Sequence, residues 1–400
     1  MYFSIIRHIL LRQAKDGNAD RLLEEKVMKR IGSPYAVCMP KNRVGIFLVI
    51  RALIKPQQKV ILSPLTISDV VNMVICAGGV PVFADIERKT NNIDPAEIEK
   101  LIDAGTGAVL VTHLHAYSCD MDRIVRICKA KGVPLVEDAA QAFGVLYRSR
   151  PVGTFGDAGV FSFGMYKSVN TFFGGMVVTP HKDLHDRLRR ETESYPFQEI
   201  DYYLSKVSSG LTTDIATYPP LFQLLTFWIF RYGYLHNIPF LMNRVMVDVD
   251  PKMKRVLPES YLRRMMPMQA KLAVPQLDHV EHDNEIRIKY ARIYYEGLKN
   301  ISELIISPLH YDCSHTYAYY TIQAADRHAL IRHLMRNGCD IAASHYKNCA
   351  DLPAFQEWYR DCPNARETAR SLVYLPTYPR YSERNVKKNV EVIRNFFGSK

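Results

Sequence analysis

The 400-residue chain reads as an α/β protein, with a mostly parallel central sheet flanked by helices and a small α+β domain towards its C-terminal end. Three observations predict this. Short apolar runs alternate with amphipathic stretches through the first half, one lysine lies in a turn between two apolar runs, and the alternation gives way after about residue 193 to longer helices and fewer strands.

Arg43 to Ile54 predicts a helix, and Lys59 to Leu62 a strand. A helix at Ser68 to Ala77, a strand at Pro81 to Ala84 and a helix at Asp94 to Asp103 follow. Next come a strand at Ala108 to Thr112, a helix at Asp122 to Ala130 and a strand at Pro134 to Glu137. Strands that are apolar throughout are buried on both faces, as in parallel sheets covered by helices. Gly159 to Phe163 and Met176 to Thr179 are two more strands, and the turn between them carries Lys167 and closes on Gly174-Gly175. His181 to Thr192 is a charged helix.

An ammonium held between buried strands is costly, so such a lysine is drawn toward its neutral, nucleophilic form and suits covalent chemistry with carbonyls. A lone loop lysine would more simply reach to solvent. Lys167 has company, because about thirty residues earlier Pro134-Leu-Val-Glu-Asp138 ends a strand in carboxylates. A carboxylate at the C-terminal end of a strand points into the crevice where open α/β sheets bind ligands. A lysine and an aspartate so placed meet the needs of pyridoxal phosphate, one for its aldehyde and one for its ring nitrogen.

Val136-Glu-Asp-Ala-Ala-Gln-Ala-Phe-Gly144, Val152-Gly-Thr-Phe-Gly-Asp157, Phe161-Ser-Phe163, Lys167 and Gly174-Gly175, in this order, resemble the sugar aminotransferases of the DegT and StrS kind. These are fold-type-I pyridoxal phosphate-dependent transferases. The similarity runs from about Ile46 to Thr179 and resumes from Tyr261 to Phe397. It implies that Lys167 bonds the cofactor and moves the substrate proton, that Asp138 pairs with the ring nitrogen, that Gln141 meets the phenolic oxygen and that Ser162 meets the phosphate. Relatives that dehydrate deoxysugars carry histidine in place of the lysine, so Lys167 implies transamination. His113 matches a His-Leu pair, and His345-Tyr346 matches a substrate-side His-Tyr. The resemblance further implies a homodimer, an amino-acid donor such as glutamate and a keto-sugar acceptor, nucleotide- or lipid-linked, in cell-envelope glycan or glycolipid biosynthesis.

Three positions depart from the family pattern. Lys41-Asn42-Arg43 stands where the family has Ser-Gly-Thr at a helix N-terminus for the phosphate. Asn42 and Arg43 are therefore the expected contacts there, since basic side chains and helix N-termini both favour an anion. Ile67 stands where an aromatic stacks on the ring, and Leu262 where an asparagine crosses the dimer. These departures leave a second reading open, a cofactor-less, membrane-associated binding or scaffold protein that kept the fold.

The net charge of +11 favours anionic partners. No basic run interleaved with aromatics and no zinc-finger or helix-turn-helix signature occurs, so nucleic acid is not an expected partner. The eight cysteines include no CxxC pair, and no cluster has metal-ligand spacing. Such thiol usage fits a reducing compartment, hence a cytoplasmic enzyme or one peripheral on the cytoplasmic face of a membrane.

Residues 1–30 read as an N-terminal helical segment, 31–193 as the cofactor domain, 194–260 as a hydrophobic insert and 261–400 as a long helix with the small domain. Residues 1–12 form an apolar helix with basic punctuation, too short to span a bilayer. In the insert, residues 219–241 are rich in aromatics, and their core, Leu221 to Phe230, is apolar nearly all round. Two readings stand for both stretches: packing against the enzyme or a partner subunit, or a monotopic contact with a membrane interface. Beyond them, Gln269 to Leu298 reads as one long helix, Tyr317 to Gln323 as a strand and Arg327 to Arg336 as a helix. Ser382 caps a last helix running to Phe397.

Overall fold

The computed structural model describes residues 1–11, 13–238, 251–310 and 315–398, without the side chains of residues 8–10. Seven strands form the central sheet: β1 (Tyr35–Met39), β2 (Lys59–Leu62), β3 (Val80–Phe83), β4 (Thr106–Thr112), β5 (Leu135–Asp138), β6 (Ala158–Ser162) and β7 (Gly175–Thr179). Their order across the sheet is β1-β7-β6-β5-β4-β2-β3. Only β7 runs against the rest. From β1 to β5 each strand leads to the next through a helix, β5 reaches its parallel neighbour β6 through the turns and small hairpin of residues 139–157, and β6 reaches β7 through the short irregular turn that holds Lys167, so β7 returns antiparallel.

Alternation along each strand divides the core into two layers. Val60 and Leu62 of β2 and Ala108 and Leu110 of β4 pack with the helices Asn42–Leu53 and Ser68–Cys76. Ile61, Val109 and Val111 face the opposite way, onto the helices Pro95–Leu101 and Met121–Lys131. Both faces are covered, which explains the absence of polar alternation in these strands. The helix Ala19–Ile31 adds Leu23, Val27 and Ile31 to the layer over Phe161 and Phe163, so this helix belongs to the core around the central sheet.

The small domain is an antiparallel sheet of β8 (Leu304–Ile306), β9 (Tyr320–Ala324), β10 (Ala342–Ala343) and β11 (Leu372–Leu375), in the order β8-β9-β11-β10. It is backed by the helices Val280–Leu298, Arg327–Arg336 and Glu383–Gly398. Ser382 caps the last of these, its hydroxyl accepting from the Asn385 N–H at 3.2 Å. Two expectations are corrected here. The helix expected over Gln269 to Leu298 is broken into Pro267–Ala273, a 3₁₀ stretch at Val274–His279 and Val280–Leu298, because Pro275 cannot donate into a continuous helix. The strand expected from Tyr317 begins at Tyr320, since Tyr317 adopts a left-handed φ of 49°. The apolar core Leu221 to Phe230 is made of a short turn, a π segment at Phe222–Thr226 and the start of the helix Phe227–Leu235.

The helix Tyr2–Leu10 does not present a single apolar face. Ile5 is buried against Phe172, Phe173 and Tyr203, and the Tyr2 hydroxyl donates to Asp214 at 2.7 Å, while Phe3 is 82% exposed. Across the insert, Phe227 joins the core of the small domain, and the Arg231 guanidinium donates to the Met335 carbonyl at 2.8 Å. Arg12 and residues 239–241 of the apolar stretches, like Cys313, lie outside the described residues. The seven described cysteines are free thiols, and no helix among the described residues is long and apolar enough to cross a membrane.

Candidate active site

Strand β5 ends in two carboxylates that its pleat sends to opposite faces. Glu137 turns inward. Its oxygens accept from the backbone N–H groups of Gly153 at 2.7 Å, Phe155 at 2.6 Å and Gly156 at 2.8 Å. The His113 Nε2 lies 3.0 Å from the same carboxylate, and His113 Nδ1 accepts from the Cys119 N–H at 3.1 Å. These two bonds require the proton on Nε2, donated to Glu137. His113 is thus fully buried with both ring nitrogens engaged, and the structure assigns it to holding the loop after β4 and the turn at 153–156. The expected substrate-side place of His113 is not where it stands.

Asp138 faces the crevice. Its Oδ1 accepts from the Ala140 N–H at 3.1 Å and from the Asn42 amide at 3.3 Å, and the same amide reaches the Val160 carbonyl at 3.3 Å. Burial raises the Asp138 pKa, and these bonds together with the positive charge of Lys167 oppose the rise. Burial likewise lowers the pKa of Lys167, with the Asp138 charge opposing. Lysine and carboxylate therefore act on each other across the crevice.

The turn bearing Lys167 is pinned at several points. Phe163 N–H donates to the Gly174 carbonyl at 3.0 Å, and Asn170 exchanges two hydrogen bonds with the Gln276 side chain, each of 2.8 Å. Gly174 has φ +138°, which only glycine adopts readily, and a Cβ there would meet the Met265 methyl at 2.5 Å. Gly175 lets the N-terminus of the helix Asn42–Leu53 approach β6 and β7, since a Cβ would lie 2.5 Å from the Phe161 carbonyl oxygen and 2.9 Å from the Asn42 nitrogen. The paired glycines therefore bring Asn42 to Asp138. Ser162, at the end of β6, accepts from the Gly164 N–H at 3.4 Å.

Gln141 joins the two domains. Its carbonyl oxygen accepts from the His115 N–H at 2.8 Å, and its amide donates to the Tyr346 hydroxyl. Tyr346 is carried to the site because Lys347 and Asn348 pair antiparallel with Thr66 and Leu65. The His345 ring lies tilted against that of Tyr346 with centroids 4.5 Å apart, and a cavity lined by Thr66, Ile67, Ser68, His345 and Tyr346 places Ile67 beside them. Asp138 is thus tied to Asn42 by a hydrogen bond and to Lys167 by charge, while Gln141 is bonded to Tyr346, which lines one cavity with His345 and Ile67. The Arg43 guanidinium is held by Asp69 and lies 3.3 Å from the Tyr261 hydroxyl, so its charge is already shared.

Sequence reasoning passed over His115. It is buried at a left-handed φ of 59°, between Tyr346 and Tyr374, and neither ring nitrogen has a partner among the described residues. Burial, and then the charge of His345, hold its pKa down at about 3, so it is neutral. Its only sequence signal is the spacing His-Leu-His, which does not say which histidine turns to the crevice.

The donor set suits pyridoxal phosphate: an amine with a depressed pKa for the aldehyde, a hydrogen-bonded buried carboxylate for the ring nitrogen and an amide for the phenolic oxygen. Comparison with known proteins agrees. The sequence model of the "DegT/DnrJ/EryC1/StrS aminotransferase family" matches residues 7–203 and 242–394. The chain is 27% identical over 383 residues to the "Spore coat polysaccharide biosynthesis protein SpsC" of Bacillus subtilis, covering 93% of this chain and 88% of that one. It is 27% identical over 389 residues to the "GDP-perosamine synthase" of Escherichia coli O157:H7, covering 96% and 92%. Among solved structures, Helicobacter pylori PseC, described as an aminotransferase involved in the biosynthesis of pseudoaminic acid, superposes with a TM-score of 0.76 at 19% identity, over 100% of this chain and 96% of that one, and so shares the fold. A family match over most of the chain, around a crevice that holds the lysine and carboxylate the family's chemistry requires, settles the assignment: the chain belongs to the DegT/DnrJ/EryC1/StrS aminotransferase family and is a pyridoxal phosphate-dependent aminotransferase.

Proposed function

We propose that this enzyme transfers an amino group from glutamate to a keto-sugar, carried on a nucleotide or a lipid, during the synthesis of a cell-envelope glycan. The observation that carries the reading is the Lys167 and Asp138 pair at the open end of the sheet, in a chain whose relatives include a GDP-perosamine synthase and a polysaccharide biosynthesis protein. When bound, the cofactor supplies an electron sink beside the carbon that gains or loses a proton.

The chain's own residues do the rest. Burial leaves more of the Lys167 Nζ neutral at a given pH than in water, so Nζ can take the proton from the donor carbon and return it on the acceptor side. Asp138, fixed by Ala140 and Asn42, holds the proton on the ring nitrogen. Gln141 and Tyr346 orient the face between the domains, where His345 and Tyr346 are the substrate-side groups.

The finer reading includes a homodimer and a peripheral contact with the cytoplasmic face of a membrane through residues 1–12 and 219–241. Several observations support the contact. Phe3, Ile6 and Leu11 are exposed near Arg7, the helix Ile200–Ala216 exposes Leu204, Leu211 and Ile215 along one face, and Leu224, Leu225, Trp228, Ile229 and Tyr232 continue the apolar surface. Lipid-carried acceptors would be met at such a surface.

The test supplies the purified enzyme with cofactor, ¹⁵N-glutamate and a panel of nucleotide-linked and polyprenyl diphosphate-linked keto-sugars. The expected result is ¹⁵N in one sugar and an equal amount of 2-oxoglutarate. Glutamate changing the cofactor's absorbance with no ¹⁵N in any sugar would remove the sugar acceptor and keep the aminotransferase.

A further inference from the structure

The turn that carries Lys167 rests on two helices that lie far from it in the chain. Met165 on one side of the lysine, and Phe172 and Phe173 on the other, are seated in one apolar cluster with Ile5 of the helix Tyr2–Leu10 and Tyr203 of the helix Ile200–Ala216. The Phe172 ring stands 6.0 Å from that of Tyr2 between centroids and meets that of Tyr203 edge to face at 5.8 Å. It fits against Gly210, where a Cβ would lie 2.6 Å from the ring. Beyond this contact the Tyr2 hydroxyl donates to Asp214, so the two helices are tied to each other as well as to the turn.

Three local costs meet in this cluster. Phe172 has a left-handed φ of 69°, a conformation that bulky residues avoid and that persists only where the surroundings enforce it. Gly210 stands inside a helix, where glycine is less favourable than alanine. The Tyr203 hydroxyl is buried with no hydrogen-bond partner among the described residues. All three serve the seat of the Phe172 ring, and short bonds carry that seat back to the turn. The Phe172 N–H donates to the Asn170 side chain at 2.8 Å, the Thr171 hydroxyl donates to the Phe173 carbonyl at 2.8 Å, and the Thr171 N–H donates to the Phe163 carbonyl, just past β6, at 2.9 Å. A shift of the ring therefore pulls on the end of the strand and on the turn together.

We propose that Phe172 and Gly210 are positioning residues for Lys167, forming with Tyr2 and Tyr203 a clamp that sets how the lysine amine is presented to its reaction partners without touching them. The inference rests on Lys167 being the lysine that bonds the cofactor. Lys167 and Phe172 lie inside the ranges matched by the family model, 7–203 and 242–394, whereas Tyr2, Gly210 and Asp214 lie outside them. The turn thus draws part of its support from segments beyond the match. Burial is what lowers the pKa of Lys167, and the Asp138 carboxylate is the charge that acts against it. A loosened turn lets water reach Nζ, so its pKa rises toward the ordinary lysine value and less of it is neutral at a given pH. Only the neutral amine adds to the cofactor's aldehyde, with loss of water, so the clamp is read out in the pH dependence of that addition.

The test compares the wild type with Gly210→Ala, Phe172→Leu and Tyr203→Phe, each checked by thermal unfolding. Alanine favours the helix while its methyl displaces the Phe172 ring, leucine removes the ring, and phenylalanine keeps the Tyr203 ring and drops only the unpartnered hydroxyl. The quantity read is the rate at which the visible band forms when pyridoxal 5′-phosphate is added to cofactor-free protein, followed across pH. In Gly210→Ala and Phe172→Leu the midpoint of this profile moves up by about half a pH unit or more, and below the midpoint the band forms about threefold more slowly or worse. Tyr203→Phe, the conservative variant, keeps the wild-type midpoint. Where either of the first two does not fold, Tyr2→Phe, which loses only the bond to Asp214, takes its place and shifts the midpoint in the same direction by less. Lower thermal stability with the midpoint in place means that the cluster is packing alone and overturns the proposal, as do variants that match the wild type throughout. Lys167→Ala separates the two levels of the argument. A band that survives in it removes the assignment of the lysine and the clamp with it, whereas a band that depends on Lys167 but has an unmoved midpoint removes only the clamp.

Discussion

The crevice at the ends of β5 and β6 and the helical layer from 200 to 235 are both built from strongly apolar sequence, and they end in opposite states. Val136, Val160 and Val177 are completely buried, whereas Leu224 is 80% exposed and Trp228 49% exposed. The strands have helices on both faces, so every side chain finds a neighbour. The layer packs on one side only, through Tyr203 to Phe172 and through Phe227 to the small domain. Polar groups follow the same division. Glu137 is held by three backbone N–H groups and a histidine, while Trp228 satisfies its own ring N–H from the Gln223 carbonyl within its helix, at 2.9 Å. An apolar run thus becomes core or surface according to how many layers reach it, and catalysis sits where the surroundings leave side chains no freedom.

The comparison can be broken at three places. The largest effect is expected at Lys167. Lys167→Ala should remove the visible absorbance band of the cofactor-loaded protein and lower the rate of amino transfer by about 10²- to 10⁴-fold through lost proton transfer alone, with a larger loss from the missing covalent attachment. A band of wild-type intensity in this variant would mean that another amine carries the cofactor.

Next comes Glu137→Gln, which replaces an acceptor of four bonds by a group with one acceptor and an unwanted N–H₂. Urea unfolding should show a loss of about 3 kcal/mol, since buried donors would go unmet. A loss below about 0.5 kcal/mol, the range of ordinary surface changes, would show that the turn at 153–156 is held by something else.

The smallest effect on stability is expected in the layer. Leu224→Ser with Trp228→Ser should change unfolding by about 0.5 kcal/mol or less per site, because both side chains are already substantially in water. Flotation with anionic vesicles should nevertheless fall sharply relative to the wild type. Wild-type protein that stays at the bottom of the gradient would remove the membrane contact and leave the exposed side chains to a protein partner.

Periodicity made the strand Lys59–Leu62 and the helix Arg327–Arg336 legible to the residue, because each is short, uninterrupted and covered as its pattern requires. The turn bearing Lys167 was equally plain, since paired glycines between two apolar strands have few other meanings. The broken helix around Pro275 was an error of reading, as the proline was there to be weighed. His113 and His115 failed for a different reason. Two histidines one residue apart beyond the end of a strand carry no mark of which one the turn buries against Glu137 and which one it aims at Tyr346.

By itself, the sequence determined the fold class, the lysine and the carboxylate, because hydrophobic period and local turn chemistry act over a few residues and need no partner. Only the tertiary structure decided that Asn42 supports Asp138, that Gln141 bridges to Tyr346 and that Tyr202 and Lys206 close around Lys41. Each of these joins segments far apart in the chain, and their meeting is set by how helices pack on the sheet, which no local pattern records.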